Sequence, residues 1–274
     1  MRICKICPRH CEIDRSAESG LCNTKWTPLI SSVMIHRGEE PPISGTRGSG
    51  AIFFSGCNLN CVFCQNHDIS QTGSGTATTV LELVDIIHSL ERRGVHNINL
   101  VTPSHFAPQI AEAIKLSKKQ GVKVPFIYNS SGYDAAASLK LMEGLIEIYM
   151  PDMKYASDAL GQRYSNVPDY FTIASQALQE MYRQVGPPAY EGGIMKKGMF
   201  IRHLVLPNHT DDSIAVLNWI KLNMPLAGVS LLAQYSPQFN ASMHEEINRR
   251  LTSDEYRRVA SHFKSIGLNE VYMQ

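Results

Sequence analysis

Cysteine is absent from the chain after residue 64, although seven cysteines stand before that point. An odd number confined to one end of the chain is unlike the even, distributed set of a small disulfide-stabilised secreted protein. In a reducing compartment, such clustering favours metal or iron–sulfur ligation. The seven divide into a group of four and a group of three, so we expect two separate metal-binding groups.

Long hydrophobic runs and a strong net charge are also missing. No segment approaches the roughly 20 consecutive apolar residues that a membrane-spanning helix needs. The formal net charge is +1, which provides no overall attraction to nucleic acid or to an acidic membrane surface. The N-terminus MRICKICPRH is polar and unlike a signal peptide. We therefore expect a cytoplasmic protein with neither nucleic acid nor membrane as a partner.

The composition is that of an ordinary globular protein, with 43% hydrophobic residues in a chain of 274. This length is enough for one large domain with a small addition. Residues 1–50 hold four cysteines and end in the Pro/Gly-rich stretch EEPPISGTRGSG. We expect a Cys-rich metal-binding segment over residues 1–50 and a separate domain over residues 51–274.

From residue 51 onward, short apolar runs alternate with segments of helical periodicity. Six such units in succession predict an α/β fold with a parallel sheet and right-handed crossovers. Because a closed barrel normally has eight units, six indicate an open, partial (β/α)6 barrel with ligands at the carboxyl ends of the strands. The predicted strands are residues 51–56, 97–101, 124–128, 146–150, 199–207 and 229–235, with a short final strand in EVYM.

Directly after the first predicted strand, the stretch CNLNCVFCQN contains Cys57, Cys61 and Cys64 in the spacing C-x3-C-x2-C. A structural zinc site uses four protein ligands, and a [4Fe–4S] cluster normally has four thiolates, one for each iron. Three thiolates would leave one iron open to a small molecule. The alternatives are a zinc site completed by His67 or a distant residue, and buried cysteines without a metal.

This triplet, with Phe63 before its last cysteine, resembles the signature of the radical S-adenosylmethionine (SAM) enzymes. Residues 51–274 resemble the branch that contains pyruvate formate-lyase activating enzyme, which has a six-stranded partial barrel. The resemblance implies a [4Fe–4S] cluster on Cys57, Cys61 and Cys64 whose open iron binds the amino-acid end of SAM. It also implies reductive cleavage of SAM to a 5′-deoxyadenosyl radical, with an electron donor such as flavodoxin or ferredoxin.

The same resemblance assigns cofactor-binding roles at the strand ends. The stretch YMPDMKY resembles the family's Met-x-Asp-x-Lys run, in which the aspartate helps to hold a monovalent cation and the lysine contacts SAM. TPSH (102–105) stands where the family usually has Gly-Gly-Glu, and Asn129–Ser130 stands where the activating enzyme has Asp-Thr. The residues implied to bind the cofactor are Phe63, Thr102, Ser104, Asn129, Ser130, Asp152, Lys154, Arg202, Val205 and Tyr235.

Several of these residues also have a purely structural interpretation. Asp152 and Lys154 fit a surface ion pair, and Ser104 fits a helix N-cap. Arg202 fits an ion pair at the rim of the sheet. Tyr235 fits core packing as well as stacking on adenine.

The N-terminal cysteines form a second group with the spacing C-x2-C-x3-C-x10-C. Four thiolates can close a tetrahedral zinc site or bind a second [4Fe–4S] cluster, and unliganded thiols are the third possibility. A segment of about 25 residues cannot bury a core of its own, so a metal would supply its folding energy. The group consists of Cys4, Cys7, Cys11 and Cys22.

These features predict a radical SAM enzyme that abstracts a hydrogen atom from a small molecule or peptide. One alternative is an activase that generates a glycyl radical on a partner enzyme. Another is a non-catalytic metal-binding module. The N-terminal cysteines favour the first prediction over the activase, because the classical activating enzymes lack them.

Overall fold

The computed structural model describes residues 3–274, which fold around one ten-stranded sheet flanked by helices. The strands are β1 Leu29–His36, β2 Ser49–Phe54, β3 Thr76–Ala77, β4 Ile98–Val101, β5 Phe126–Ser130, β6 Ile148–Pro151, β7 Ala189–Glu191, β8 Ile194–Leu204, β9 Gly228–Leu232 and β10 Asn269–Met273. The helices are α1 Pro41–Ser44, α2 His67–Ser70, α3 Val80–Arg92, α4 Ala107–Lys119, α5 Ala136–Met142, α6 Asp158–Ser165, α7 Tyr170–Val185, α8 Thr210–Asn223 and α9 Ser253–Ser265.

The order of strands in the sheet confirms the predicted α/β fold. Strands β2, β4, β5, β6, β8, β9 and β10 are neighbours in that sequence and all pair in parallel. They correspond to the six predicted strands and the short final one. Within residues 3–274, no pairing joins β2 to β10, so the sheet is an open, partial barrel.

Strand β1 was not predicted, and it extends the sheet beyond β2. It runs antiparallel to β2, with His36 opposite Ser49 and Met34 opposite Ala51, and β3 pairs with its other edge. The strand lies within the residues assigned to the Cys-rich segment. The division of the chain at residue 50 remains a prediction, but the sheet itself continues across it.

Helix α3 shows how local sequence sets the outer layer. Thr79 and Glu82 form a reciprocal capping box at its start, which satisfies backbone donors that the helix leaves unpaired. Its buried residues recur at helical spacing and pack on the sheet, as the periodicity predicted. They are Leu83, Val84, Ile87 and Leu90.

The floor segment, residues 37–48, closes the barrel at the amino ends of the strands. It contains α1, whose Ile43 is fully buried against Ile127, Ile148 and Phe200 on three different strands. The carbonyl of Ile43 accepts a hydrogen bond from Asn97 Nδ2 at 2.8 Å. The floor segment thus fills this end of the barrel, whereas the cysteines of residues 57–66 follow the opposite end of β2.

Among residues 3–274, no helix is both long and apolar enough to cross a bilayer.

Candidate functional site

The cysteine loop, residues 57–66, follows the carboxyl end of β2. Its backbone is held by the last turn of α6, because Asn60 N donates to Ser165 O at 3.1 Å and Val62 N donates to Tyr164 O at 2.9 Å. From the other side, Asn240 N donates to Val62 O at 2.8 Å. The loop is therefore fixed at the end of the sheet where parallel α/β folds bind their ligands.

Each thiol of this loop has a polar neighbour. The sulfur of Cys61 lies 3.0 Å from Ser165 Oγ, that of Cys64 lies 3.2 Å from Ser70 Oγ, and Leu59 N donates to Cys57 Sγ at 3.4 Å. Burial raises the pKa of Cys57, and repulsion from Cys61 raises it further. A positively charged partner is needed to hold these sulfurs as thiolates, which an iron cluster would provide.

Lys154 brings a positive charge to the same place. Its Nζ donates to Asp152 Oδ2 at 2.5 Å just after β6, and its side chain is only 21% exposed. Burial disfavours the ammonium form, but the Asp152 carboxylate and the Cys61 sulfur outweigh it, so the pKa of Lys154 is raised. Burial raises the pKa of the Cys61 thiol, and the Lys154 ammonium opposes part of that rise. Asp152, Lys154 and the cysteine loop are thus one electrostatic unit.

Two aromatic residues named from the sequence are in contact beside the loop. The rings of Phe63 and Tyr235 meet edge to face, with centroids 5.7 Å apart. The hydroxyl of Tyr235 donates to Ile247 O at 2.7 Å. Val205 is fully buried, and its amide donates to Leu232 O at 3.0 Å. The aromatic pair forms an apolar wall, while Val205 belongs to the core beneath it.

Ser104 and Ser130 both donate to a buried carboxylate that the sequence analysis did not identify as part of the site. Asp134 Oδ2 accepts from Ser130 Oγ at 2.6 Å, Asp134 Oδ1 accepts from Tyr128 OH at 2.8 Å, and Ser104 donates as well. Burial raises the pKa of Asp134, although these three donors oppose the shift. Asp134 stands just before α5, whose N-cap is Ala135, so its carboxylate serves these donors and does not cap the helix. The sequence did offer one indication of a shared acceptor, since the hydroxyl residues Ser104 and Ser130 stand at the ends of two neighbouring strands.

Thr102 and Asn129 lie at the ends of β4 and β5. Thr102 has φ of 59°, a left-handed conformation that is rare for a β-branched residue. Its amide donates to Asn129 O at 2.9 Å, which fixes the turn. Strain of this kind is concentrated at functional sites. His105, three residues on, donates from Nε2 to Ser55 O at 2.8 Å, and burial lowers the pKa of His105 to about 3, so the ring is neutral.

Arg202 points toward the floor segment. Its guanidinium binds Glu39 and Glu40, with Nε 2.9 Å from Glu40 Oε1. Ser230 donates to Glu40 at 2.7 Å, and Asn99 donates to Glu39 at 2.9 Å. The sequence analysis treated both glutamates only as part of a connector. They join the floor segment to three strands of the barrel.

The N-terminal cysteines also converge. Cys4, Cys7 and Cys22 are buried, and Cys11 is partly exposed. The sulfurs of Cys11 and Cys22 each lie 3.5 Å from the point where a Cβ on Gly20 would stand. Burial raises the pKa of Cys7 to about 12; a backbone hydrogen bond from Arg9 opposes this, and repulsion from the other three sulfurs adds to it.

No set of three or more His, Cys, Asp or Glu side chains among residues 3–274 is placed to hold a single metal ion. His67, the suggested fourth ligand of a zinc site, stacks on Phe239 with centroids 4.9 Å apart, and its Nε2 lies 3.1 Å from Asp68. Three thiolates are the donor set of a [4Fe–4S] cluster with one open iron, in which each thiolate binds a different iron.

The profile of the Radical SAM superfamily matches residues 51–220 of the chain. The chain is also 30% identical, over 277 residues, to Uncharacterized protein MJ0674 of Methanocaldococcus jannaschii; the match covers 98% of this chain and 76% of that protein. The matched residues include the cysteine loop and Lys154, while Tyr235 lies beyond them.

Two solved structures have a similar fold. SuiB of Streptococcus suis bound to S-adenosylmethionine is 14% identical, with a TM-score of 0.56 over 80% of this chain and 48% of SuiB. Methylornithine synthase (PylB) is 16% identical, with a TM-score of 0.55 over 81% of this chain and 63% of PylB. At this identity the likeness concerns the fold alone, and the chain spans about half the length of SuiB.

Proposed function

The chain belongs to the radical SAM superfamily, and on that premise we propose that Cys57, Cys61 and Cys64 hold the [4Fe–4S] cluster at which this enzyme cleaves SAM. Members of the superfamily are enzymes of SAM-dependent radical chemistry. The cluster supplies the electron that splits SAM into methionine and a 5′-deoxyadenosyl radical. The observation that carries the proposal is the convergence of three cysteines and Lys154 at the carboxyl ends of the strands.

The side chains around the loop provide complementary contacts for SAM. The Lys154 ammonium, oriented by Asp152, pairs with the carboxylate of the methionine end. The wall of Phe63 and Tyr235 packs against the adenine. Backbone groups of Thr102 and Asn129, at the ends of β4 and β5, bind the amino group and the ribose of SAM. Ser104 and Ser130 stabilise these strand ends through their hydrogen bonds to Asp134. Arg202 and Val205 support the site without contacting its rim: Arg202 pairs with Glu39 and Glu40 of the floor segment, and Val205 packs in the core under the aromatic pair.

The substrate class we propose is a small molecule or a peptide. The floor segment closes one end of the barrel, so a substrate enters from the strand ends and is enclosed on the other side. SuiB, which shares the fold, has been crystallised with its precursor peptide SuiA. An external donor such as flavodoxin or ferredoxin supplies the electron.

The test uses protein purified without oxygen and reconstituted with iron and sulfide. We expect 5′-deoxyadenosine to form when SAM and dithionite are added, and we expect Cys57→Ala, Cys61→Ala and Cys64→Ala each to abolish it. Each variant should also lose the same four-iron complement. Cys4→Ala is the matched control for SAM cleavage with dithionite, because it removes a cysteine outside the loop. Intact iron content and SAM cleavage in the three loop variants would contradict the proposal.

A further inference from the structure

The inside of the barrel contains a cluster of charged side chains next to the floor segment. Arg202 faces this interior, because it lies two residues after Phe200 on β8, and Phe200 packs on Ile43 of the floor segment. The Arg202 guanidinium binds the carboxylates of Glu39 and Glu40. We call these three residues the interior ion cluster.

The interior ion cluster adjoins the proposed SAM site. Arg202 and Asp152 are neighbours in the sheet, joined by a parallel bridge between β8 and the end of β6. Side-chain exposure falls from 33% at Asp152 to 16% at Arg202, 9% at Glu39 and 3% at Glu40. This gradient is that of a cleft narrowing from the strand ends toward the floor segment. A ligand that enters beside SAM therefore meets Arg202 and Glu39 before Glu40.

The charges of the cluster do not balance. Glu39 and Glu40 share one guanidinium, and among residues 3–274 no other cationic side chain forms an ion pair with either. Lys154 is already paired with Asp152. Removing an unbalanced charge from water is costly, so the cluster, with two carboxylates and one guanidinium, favours a cationic ligand.

An unpaired hydrogen-bond acceptor lies beside one of these carboxylates. Asn99 on β4, in register with Ile127, is fully buried, and its Nδ2 donates to Glu39 Oε1 at 2.9 Å. Because a carboxylate only accepts, this contact identifies which end of the amide is the nitrogen. Among the described residues, none donates to the other end, Asn99 Oδ1. Buried acceptors are normally paired, so this oxygen favours a ligand with a hydrogen-bond donor.

Both features select the same kind of ligand. A protonated amine is a cation with three N–H donors, so one nitrogen can serve Glu39 and Asn99 Oδ1 together. A metal ion fits less well, because no set of three or more His, Cys, Asp or Glu side chains in residues 3–274 is placed to hold one. Asn99 lies two residues before Val101, the last residue of β4, which is about 6.6 Å along a parallel strand. The amine must therefore be carried on an extended chain.

We propose that the substrate carries a protonated amine on an aliphatic chain, and that Glu39 and Asn99 bind this amine inside the barrel. This substrate class rests on the proposed function, since it concerns the same site. The ammonium donates to the Glu39 carboxylate and to Asn99 Oδ1, and Arg202 holds Glu39 in position. The rest of the substrate extends toward the strand ends, where SAM is cleaved.

Binding of simple probes to the reconstituted wild-type protein with SAM tests the site without any variant. Saturation-transfer nuclear magnetic resonance compares n-butylammonium with butyrate and 1-butanol, which have the same chain and a different charge. We expect n-butylammonium to bind at least tenfold more tightly than either. Equal binding of butyrate or butanol would overturn the proposal. So would displacement of n-butylammonium by potassium chloride but not by an equal concentration of sodium chloride, because the site would then hold a metal ion.

One substitution isolates the carboxylate. Glu39→Gln keeps the shape of the side chain and leaves the Arg202–Glu40 pair, and we expect it to weaken n-butylammonium binding at least tenfold. Glu147→Gln is the matched control, because Glu147 is also partly buried and paired with one cation, Lys118. The control should bind as the wild type does. Unchanged affinity in Glu39→Gln, or equal losses in both variants, would refute the amine site.

Two further measurements identify the source of the amine and separate the two proposals. Tighter binding of N-acetyl-lysine methylamide than of n-butylammonium indicates a peptide lysine, and the reverse indicates a small-molecule amine. Wild-type protein that cleaves SAM with dithionite but binds n-butylammonium no better than butanol would refute the amine site alone. Wild-type protein that binds n-butylammonium through Glu39 but forms no 5′-deoxyadenosine with dithionite would refute the proposed function alone.

Discussion

At the scale of single residues, Lys154 carries most of the electrostatic argument for the site. It lies six residues past the start of β6, pairs with Asp152, and faces the Cys61 sulfur. A buried ammonium that already has one carboxylate partner is well placed to accept a second from a ligand. This role separates it from lysines that only stabilise the fold.

We expect Lys154→Met to weaken SAM binding at least tenfold without loss of iron. Hydrogen bonds to charged groups contribute about 1.5–3 kcal/mol, which corresponds to this range or more. The matched control is Lys118→Met, because Lys118 is similarly half-buried and pairs with Glu147 at 2.6 Å away from the cysteines. Equilibrium dialysis of reconstituted protein against labelled SAM provides the measurement. Equal weakening in both variants, or none in Lys154→Met, would count against the role.

Residues differ in how far the sequence could predict their placement. The cysteine triplet and the Asp152–Lys154 pair were found because their partners are close in the chain. Glu39 and Glu40 were missed because their partner Arg202 is more than 160 positions away. Such contacts depend on the packing of whole strands, which local spacing does not encode.

At the scale of elements, the parallel strands were predictable and the N-terminal additions were not. The parallel strands are short buried runs with helices between them, a pattern that sequence periodicity detects. Strand β1 has mixed burial along its length, so it lacks that pattern. Helix α1 is four residues long and begins with two prolines. Both are stabilised by the sheet they pack against, and neither is specified by its own sequence.

Gly56 is the glycine at which two elements, the end of β2 and the N-terminal segment, come closest. We expect Gly56→Ala to lower stability and to loosen the N-terminal segment, because its Cβ would overlap Cys22 O. Gly94→Ala is the matched control, since Gly94 has φ of +78° but no atom within 4 Å of an added Cβ. Backbone strain alone should cost that control about 1–2 kcal/mol.

Thermal unfolding compares the stability of the two variants, and limited proteolysis compares the protection of their N-terminal segments. Gly56→Ala should unfold at a lower temperature than Gly94→Ala, and its first cleavages should fall within residues 3–28. Equal stability and equal protection of the N-terminal segment would show that the backbone contact between the cysteine groups is not maintained in solution.

At the scale of the whole molecule, the ion cluster of Arg202, Glu39 and Glu40 holds the floor segment inside the barrel. Arg202 stands on β8, Ser230 on β9 and Asn99 on β4, so three strands and the floor meet at two buried carboxylates. Burial disfavours the charged form of Glu40, but the charge and hydrogen bonds of Arg202 outweigh it, and the pKa of Glu40 is lowered. Without the arginine, burial would raise the pKa of Glu40 with no positive charge to oppose it.

We therefore expect Arg202→Met to cost about 3–5 kcal/mol of unfolding free energy at neutral pH, the usual effect of removing one partner from a buried ion pair. Adding Glu39→Gln and Glu40→Gln should recover most of it, because no charge is then left buried. Denaturant unfolding measures the three proteins. In Arg202→Met, burial is unopposed by the guanidinium and raises the pKa of Glu40, so the folded state binds more protons and the deficit should shrink as the pH falls toward 5. A deficit independent of pH and unrelieved by the two glutamines would mean that the floor segment is held by packing around Ile43 instead.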